Sequence, residues 1–281
     1  MADLASRGAN ARAAVPSRDD PANGAAATEQ VKSCCARFYE APFLRGLCGG
    51  VLHPGGLRCT EELGHWLHLG RNERVLDVAC GPGQPAAHLA RTFGCRVTGL
   101  DYSVKTAREA RLMTRGAISV VAGDAEFLPV RDAQFDAIVV ECSLSLMPRK
   151  SAAAASIHRA LRRGGRLGVA DVALEQPLPQ EIQGLGAWVA CLAGAEPVDE
   201  YRRLLIDAGF ADVAIKDATW ALTDAVRRAV RLLPLAALAR TVGVLTGLPF
   251  EPAELRGWLE EARRWIADGR ARYVFVSGLR I

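Results

Sequence analysis

The stretch Arg74-Val75-Leu76-Asp77-Val78-Ala79-Cys80-Gly81-Pro82-Gly83-Gln84 decides how the rest of the chain is read. A short apolar run of β type ends in an acid, breaks into a glycine turn, and is followed by a helix-like segment from Ala86 to Thr92. Gly81 and Gly83 let the backbone approach a ligand without interference from a Cβ. A helix opening behind them offers unpaired N–H groups and the positive end of its dipole. Strand, glycine turn and helix in that order predict a nucleoside-cofactor site at the carboxyl edge of a parallel sheet.

Alone, the stretch fits two kinds of cofactor. Gly81-x-Gly83-x-x-Ala86 also satisfies a dinucleotide fingerprint, and Asp101 stands near the ~20-residue distance expected of a ribose-binding acid. The following segments separate the two. Gly94-Cys95-Arg96-Val97-Thr98-Gly99-Leu100-Asp101-Tyr102-Ser103 is a second strand ending in an acid, and Val120-Val121-Ala122-Gly123-Asp124-Ala125-Glu126-Phe127-Leu128-Pro129 repeats the theme. Phe135 to Val140 reads as a further strand, and Leu161-Arg162-Arg163-Gly164-Gly165-Arg166-Leu167 as a helix end turning into another.

Four motifs in this order, over roughly residues 70–175, resemble the class I S-adenosylmethionine-dependent methyltransferases. The resemblance implies an α/β fold, a Rossmann-like, doubly wound, mostly parallel seven-stranded sheet, with S-adenosylmethionine as cofactor. It also implies roles for particular residues. Asp77 and the amides of Ala79, Cys80, Gly81 and Gly83 would hold the methionine part, and Asp101 the ribose hydroxyls. Tyr102 would pack near the adenine, Asp124 would take its amine and the Ala125 amide a ring nitrogen. Glu141, after the fourth strand, completes the cofactor set. One departure is visible: the usual first glycine of the loop is Ala79.

Beyond this core, Cys142 follows the fourth strand. A second cysteine, Cys191, sits in Cys191-Leu192-Ala193-Gly194-Ala195, ahead of Glu200-Tyr201 and Ala208-Gly209-Phe210. This pairing resembles the arsenite methyltransferases and their close relatives, in which thiolates hold trivalent arsenic. Carried over, Cys142 and Cys191 match two metalloid ligands. Cys48, before Gly49-Gly50, is the best match for a third, with Cys34, Cys35 and Cys59 as competitors. Soft trivalent centres prefer thiolate ligands, and a lone-pair nucleophile carries no proton for a base to remove. Cys80 and Cys95, inside the core motifs, read instead as small buried hydrophobes.

The 281 residues are half hydrophobic, enough for one full core with additions. A net charge of +4 and 6% aromatic residues supply neither a basic stripe nor stacking platforms, so nucleic acid is not an expected partner. No uninterrupted apolar run reaches the ~20 residues that cross a bilayer. The eight cysteines form no CxxC pairs and no zinc ribbon, and reduced thiols in a cytoplasmic protein are the expectation. A small-molecule acceptor is the expected partner, and no resident metal is implied. Competing functions are methylation of an organic carbon, oxygen or sulfur nucleophile, such as a quinone precursor, a thiol or a natural product, and cofactor binding without catalysis. A nicotinamide oxidoreductase is disfavoured because no Tyr-Lys or His proton relay stands in context.

Residues 1–29, rich in Ala, Gly and Arg, are expected to be a disordered tail ahead of one domain over 30–281. Within it, helices at 29–39, 43–52 and 60–69 form a helical lid over 30–70, with Thr60 starting the last. The cofactor core spans 71–175, and the substrate and cap region 176–281. In that region helices are expected at 181–193 and 201–208, strands at 213–219 and 272–279, and an inserted helical cap at 221–268. Trp220, Trp258 and Trp265 are expected to pack the cap on the sheet. His53, before Pro54-Gly55-Gly56, reads as a turn or surface residue, with a place at the cofactor mouth as the alternative.

Overall fold

A computed structural model describes residues 21–40, 51–178, 191–192, 194–241 and 252–281. Among the described residues, two helices, α1 (Pro21–Tyr39) and α2 (Gly56–Trp66), precede the sheet. Strand and helix then alternate through β1 (Arg74–Val78), α3 (Gln84–Phe93), β2 (Arg96–Asp101), α4 (Val104–Met113), β3 (Ser119–Ala122), β4 (Phe135–Glu141), α5 (Lys150–Ala160) and β5 (Leu161–Leu174). The chain continues through α6 (Val198–Asp207), β6 (Phe210–Asp217), α7 (Thr219–Thr241), α8 (Pro252–Ala267) and β7 (Ala271–Arg280).

The seven strands lie in the order β3-β2-β1-β4-β5-β7-β6. Neighbours among the first five are parallel, while β7 runs antiparallel to both β5 and β6. Parallel strands need crossover helices, which cover both faces, so these strands read as unbroken apolar runs. In β1 every residue after Arg74 is buried, and β4 has only Asp136 partly exposed. Alternation sends Val75 to one face, where it joins Leu63, Leu67 and Leu89 of the α2–α3 layer with Trp265 and Phe275. Leu76 and Val78 face the other way, onto Ile157 of α5 and Tyr201 and Leu205 of α6.

Chain reversal places β2 and β4 on opposite sides of β1, pairing Asp77 with Gly99 and with Val139. Ligands bind outside the carboxyl ends of the strands at such a switch point. Two buried hydroxyls stiffen the sheet behind it: Tyr201 donates to the Val172 carbonyl (3.0 Å) and Tyr273 to that of Ala170 (3.2 Å).

Several boundaries differ from expectation. Helix α1 starts at Pro21, inside the segment expected to be a disordered tail, because no proline or glycine pair interrupts the chain after it. Helix α2 starts at Gly56 rather than Thr60, using left-handed Gly55 (φ 78°) as its N-cap, so Thr60 lies within the helix and is buried. Strand β6 begins three residues early, at Phe210, straight after left-handed Gly209. The inserted cap appears as α7 and α8 between β6 and β7, with 242–251 outside the described residues. Within it Trp265 is buried as expected, but Trp258 is 50% exposed. The helices expected at 43–52 and 181–193 fall almost wholly outside the described residues.

Leu76 is fully buried between Ile138 and the α5 layer. Leu76→Ala is expected to cost about 2–5 kcal/mol, read as a lower urea midpoint at unchanged m value.

Candidate functional site

A cavity opens at the ends of β1, β2 and β4, where Asp77, Asp101 and Glu141 stand in line. Asp124, after β3, adds a fourth carboxylate to its wall. The glycine turn forms one side. Gly83 (φ 82°) closes the turn as the N-cap of α3, and Cys80 N–H donates to the Leu100 carbonyl at 2.9 Å. Ala79 takes a left-handed φ of 60° at the position where the resemblance expects glycine. An L-residue pays about 1–2 kcal/mol there.

Asp101 anchors this loop. One carboxylate oxygen accepts from Gly81 N–H at 3.0 Å, and the other from Ser103 N–H at 2.9 Å. Ser103 in turn caps α4 by accepting from Thr106 N–H. Glycine turn and second acid are therefore one hydrogen-bonded unit, and each Asp101 oxygen keeps acceptor capacity for a further donor.

Asp77 is 2% exposed, and its Oδ2 has no hydrogen-bond partner among the described residues. Burial, then the neighbouring Glu141 and Asp101 charges, pushes its carboxyl well above the usual carboxylate range. Tyr102, Ala79, Cys80, Gly81 and Ala125 also line the cavity, while Gly83 holds the turn without lining it. An orphaned buried carboxylate among three others fits a ligand carrying both a sulfonium and an ammonium charge, and the anchored Asp101 fits its sugar. The residues present thus fit S-adenosylmethionine.

The N-terminal segment closes the cavity, and most of its contributions escape a sequence reading. Lys32, Cys35, Ala36 and Tyr39 recur at helical spacing, so one face of α1 forms a wall. Lys32 Nζ, 9% exposed, lies 2.7 Å from Asp124 Oδ2 and 2.6 Å from Glu126 Oε2. The carboxylate expected to meet adenine is therefore paired across the cavity with α1. Tyr102 donates its hydroxyl to Glu29, and Ser103 donates to Glu40 at 2.6 Å. His53, expected as a turn or surface residue, is instead 5% exposed at its side chain and lines the cavity beside Thr60 and Glu141. The i, i+3, i+4, i+7 spacing of Lys32 to Tyr39 was the available signal for α1; His53 takes the cofactor-mouth place that was its alternative reading, and nothing local marks Thr60 as a site residue.

The thiols divide as follows. Cys80 and Cys95 are buried in the core, as expected. Cys48 lies outside the described residues. Cys142 and Cys191, 49 positions apart in sequence, meet: Cys142 Sγ donates to Cys191 Sγ at 3.3 Å, and Cys191 Sγ donates to the Cys142 carbonyl at 3.2 Å. Both backbones are left-handed, at φ 50° and 61°. Such residues cost about 1–3 kcal/mol each and concentrate at functional positions. The Cys191 hydrogen bond, then burial, raises the Cys142 thiol well above its usual range, so it is held protonated. The Tyr39 hydroxyl sits 3.5 Å from Cys191 Sγ, and burial with nearby Cys191 pushes Cys35 up to about 12. Cys142 itself lies between two cavity-lining residues, Glu141 and Ser143.

Residues 76–169 match the family model described as a methyltransferase domain. The chain is 33% identical over 197 residues to an O-methyltransferase, cnsE, of Penicillium expansum, covering 62% of this chain and 70% of that protein. It is 31% identical over 150 residues to an arsenite methyltransferase of Halobacterium salinarum, covering 51% of this chain but only 38% of that one. Its fold is similar to Haemonchus contortus phosphoethanolamine N-methyltransferase 2 in complex with S-adenosyl-L-methionine, at a TM-score of 0.73 and 16% identity, over 89% of this chain and 60% of that one. No helix among the described residues is long and apolar enough to cross a membrane.

Two outcomes test the site. A cationic ammonium lowers the raised Asp77 pKa, so cofactor binding is expected to release a proton. Affinity then rises with pH, by at most about tenfold per unit for one proton. Calorimetry in buffers of different ionisation enthalpy reads this directly, and Asp77→Asn should remove it. Ala79→Gly relieves the left-handed alanine at some entropic cost and is expected to raise Tm by about 1–3 °C in a thermal melt.

Proposed function

The chain belongs to the class I S-adenosylmethionine-dependent methyltransferases, and from that membership we propose that its acceptor is a small thiophilic molecule, trivalent arsenic foremost, held by Cys142 and Cys191. That it is a small-molecule methyltransferase follows from the family. The acceptor is the inference.

One observation carries it: two thiols from distant segments lie 3.3 Å apart, next to the residues that line the cofactor cavity. Sulfurs at that separation can both ligate one soft centre. Each S–H condenses with one As–OH, forming As–S and releasing water, so neither thiol needs to ionise beforehand. That suits a Cys142 thiol whose pKa is raised. The bound cofactor supplies an electrophilic methyl on a sulfonium sulfur. Arsenic, held through two sulfurs, keeps a lone pair to direct at it. The protein contributes chiefly position, an effect worth up to about 7–11 kcal/mol in favourable cases.

A second reading is methylation of an organic hydroxyl, supported by the O-methyltransferase relative. It leaves the thiol pair as a packing contact.

Supplying arsenite, glutathione and S-adenosylmethionine and separating the arsenic species distinguishes the two. Cys142→Ser and Cys191→Ser are each expected to lower methylated arsenicals by about 100-fold or more. Full turnover in both variants would rule out thiolate ligation.

A further inference from the structure

We propose that His53, Thr60 and Glu141 form a proton relay through which the same pocket methylates a protic acceptor, a small organic hydroxyl of the phenol or enol kind. The inference rests on the methyltransferase reading but not on the thiol pair, whose acceptor has no proton to lose.

All three side chains are buried: His53 and Glu141 are 5% and 4% exposed at their side chains, and Thr60 is 1% exposed. His53 Nδ1 lies 3.1 Å from the Pro54 carbonyl. A carbonyl only accepts, so Nδ1 carries hydrogen and Nε2 of the neutral ring is an acceptor. Nε2 is 3.3 Å from Thr60 Oγ1, which lies 3.1 Å from both Glu141 oxygens. One hydroxyl hydrogen faces two acceptors and satisfies only one fully. Shifting it between them moves a proton without moving an atom far. Glu141 and His53 both line the cavity, so the chain is open to an acceptor at either end.

The step balances without a further reagent. The acceptor oxygen forms its bond to the methyl carbon while the sulfonium C–S bond breaks, its electron pair staying on sulfur. The hydroxyl proton passes to Glu141. Glu141 passes a proton to Thr60 Oγ1 as Thr60 gives its own to His53 Nε2, leaving an imidazolium braced by the Pro54 carbonyl. A tie between α2 and the end of β4 would explain the Thr60–Glu141 bond alone; it gives no reason for a buried imidazole with its free nitrogen turned to the same hydroxyl.

The test offers p-cresol and 4-hydroxycoumarin with S-adenosylmethionine to the full chain, after calorimetry has established cofactor binding. Wild type is expected to form a methyl ether from at least one. Thr60→Val and His53→Gln are expected to lower kcat by about 100-fold or more, an effect of the size general acid–base catalysis supplies. Thr60→Ser should restore it to within about threefold, since it keeps the hydroxyl. A change confined to KM, or a Thr60→Val enzyme within threefold of wild type, would overturn the relay. So would failure of wild type to methylate either probe. If Thr60→Val does not fold, Thr60→Ala carries the same expectation. Ether formation without methylated arsenicals would reject the thiophilic acceptor and leave the relay standing; no cofactor binding would remove both.

Discussion

Four carboxylates drawn to one cavity by the ends of parallel strands impose the constraint around which this site is built. Asp77, Asp101 and Glu141 end adjacent strands, and Asp124 follows the next one along. Like charges so placed repel, and burial together with the Glu141 and Asp101 charges raises the Asp77 carboxyl. The chain answers part of that repulsion with backbone donors, at Gly81 and Ser103 for Asp101 and at Glu126 for Asp124, and part with the Lys32 ammonium. Asp77 Oδ2 is left without a hydrogen-bond partner among the described residues. A ligand with two positive centres completes what the fold leaves unfinished, and the loss of the sulfonium charge on methyl transfer weakens that attraction.

Helix α1 links this charged end to the thiols. Lys32 near its middle pairs with Asp124 and Glu126, while Tyr39 at its last turn contacts Cys191. The helix therefore touches the adenine side proposed for the cofactor and the acceptor side proposed for the thiols. Glu126 also receives Arg149 Nε at 2.8 Å, so the carboxylate under Lys32 is held from two directions. A buried carboxylate with two cationic partners is a rigid support, since removing either cation would leave charge uncompensated in the core. Cys142 and Cys191 carry left-handed backbones, a conformation that persists only where packing imposes it.

The sheet and its cofactor end were legible in the chain itself. Asp77, Gly81, Gly83, Asp101 and Asp124 lie at or just after strand ends because apolar runs broken by an acid and glycine are local signals. The burial of Cys80 and Cys95 followed from their place in those runs. Other features were not legible. His53 read as a turn residue because Pro54-Gly55-Gly56 is a turn, yet its ring packs inward beside Thr60, and Trp258 shows the reverse error. In both, side-chain environment is set by segments far away in sequence.

Period, turn chemistry and the order of strand-end acids thus determined by themselves an α/β sheet with a nucleoside site at its carboxyl edge. Tertiary structure alone decided the contact distance between Cys142 and Cys191, which the resemblance had already paired, that Lys32 answers Asp124, and that His53 reaches Glu141 through Thr60. The reason is physical: secondary structure depends on neighbours a few residues apart, whereas these pairs are joined across 49, 92 and 88 positions only when the helices close over the sheet.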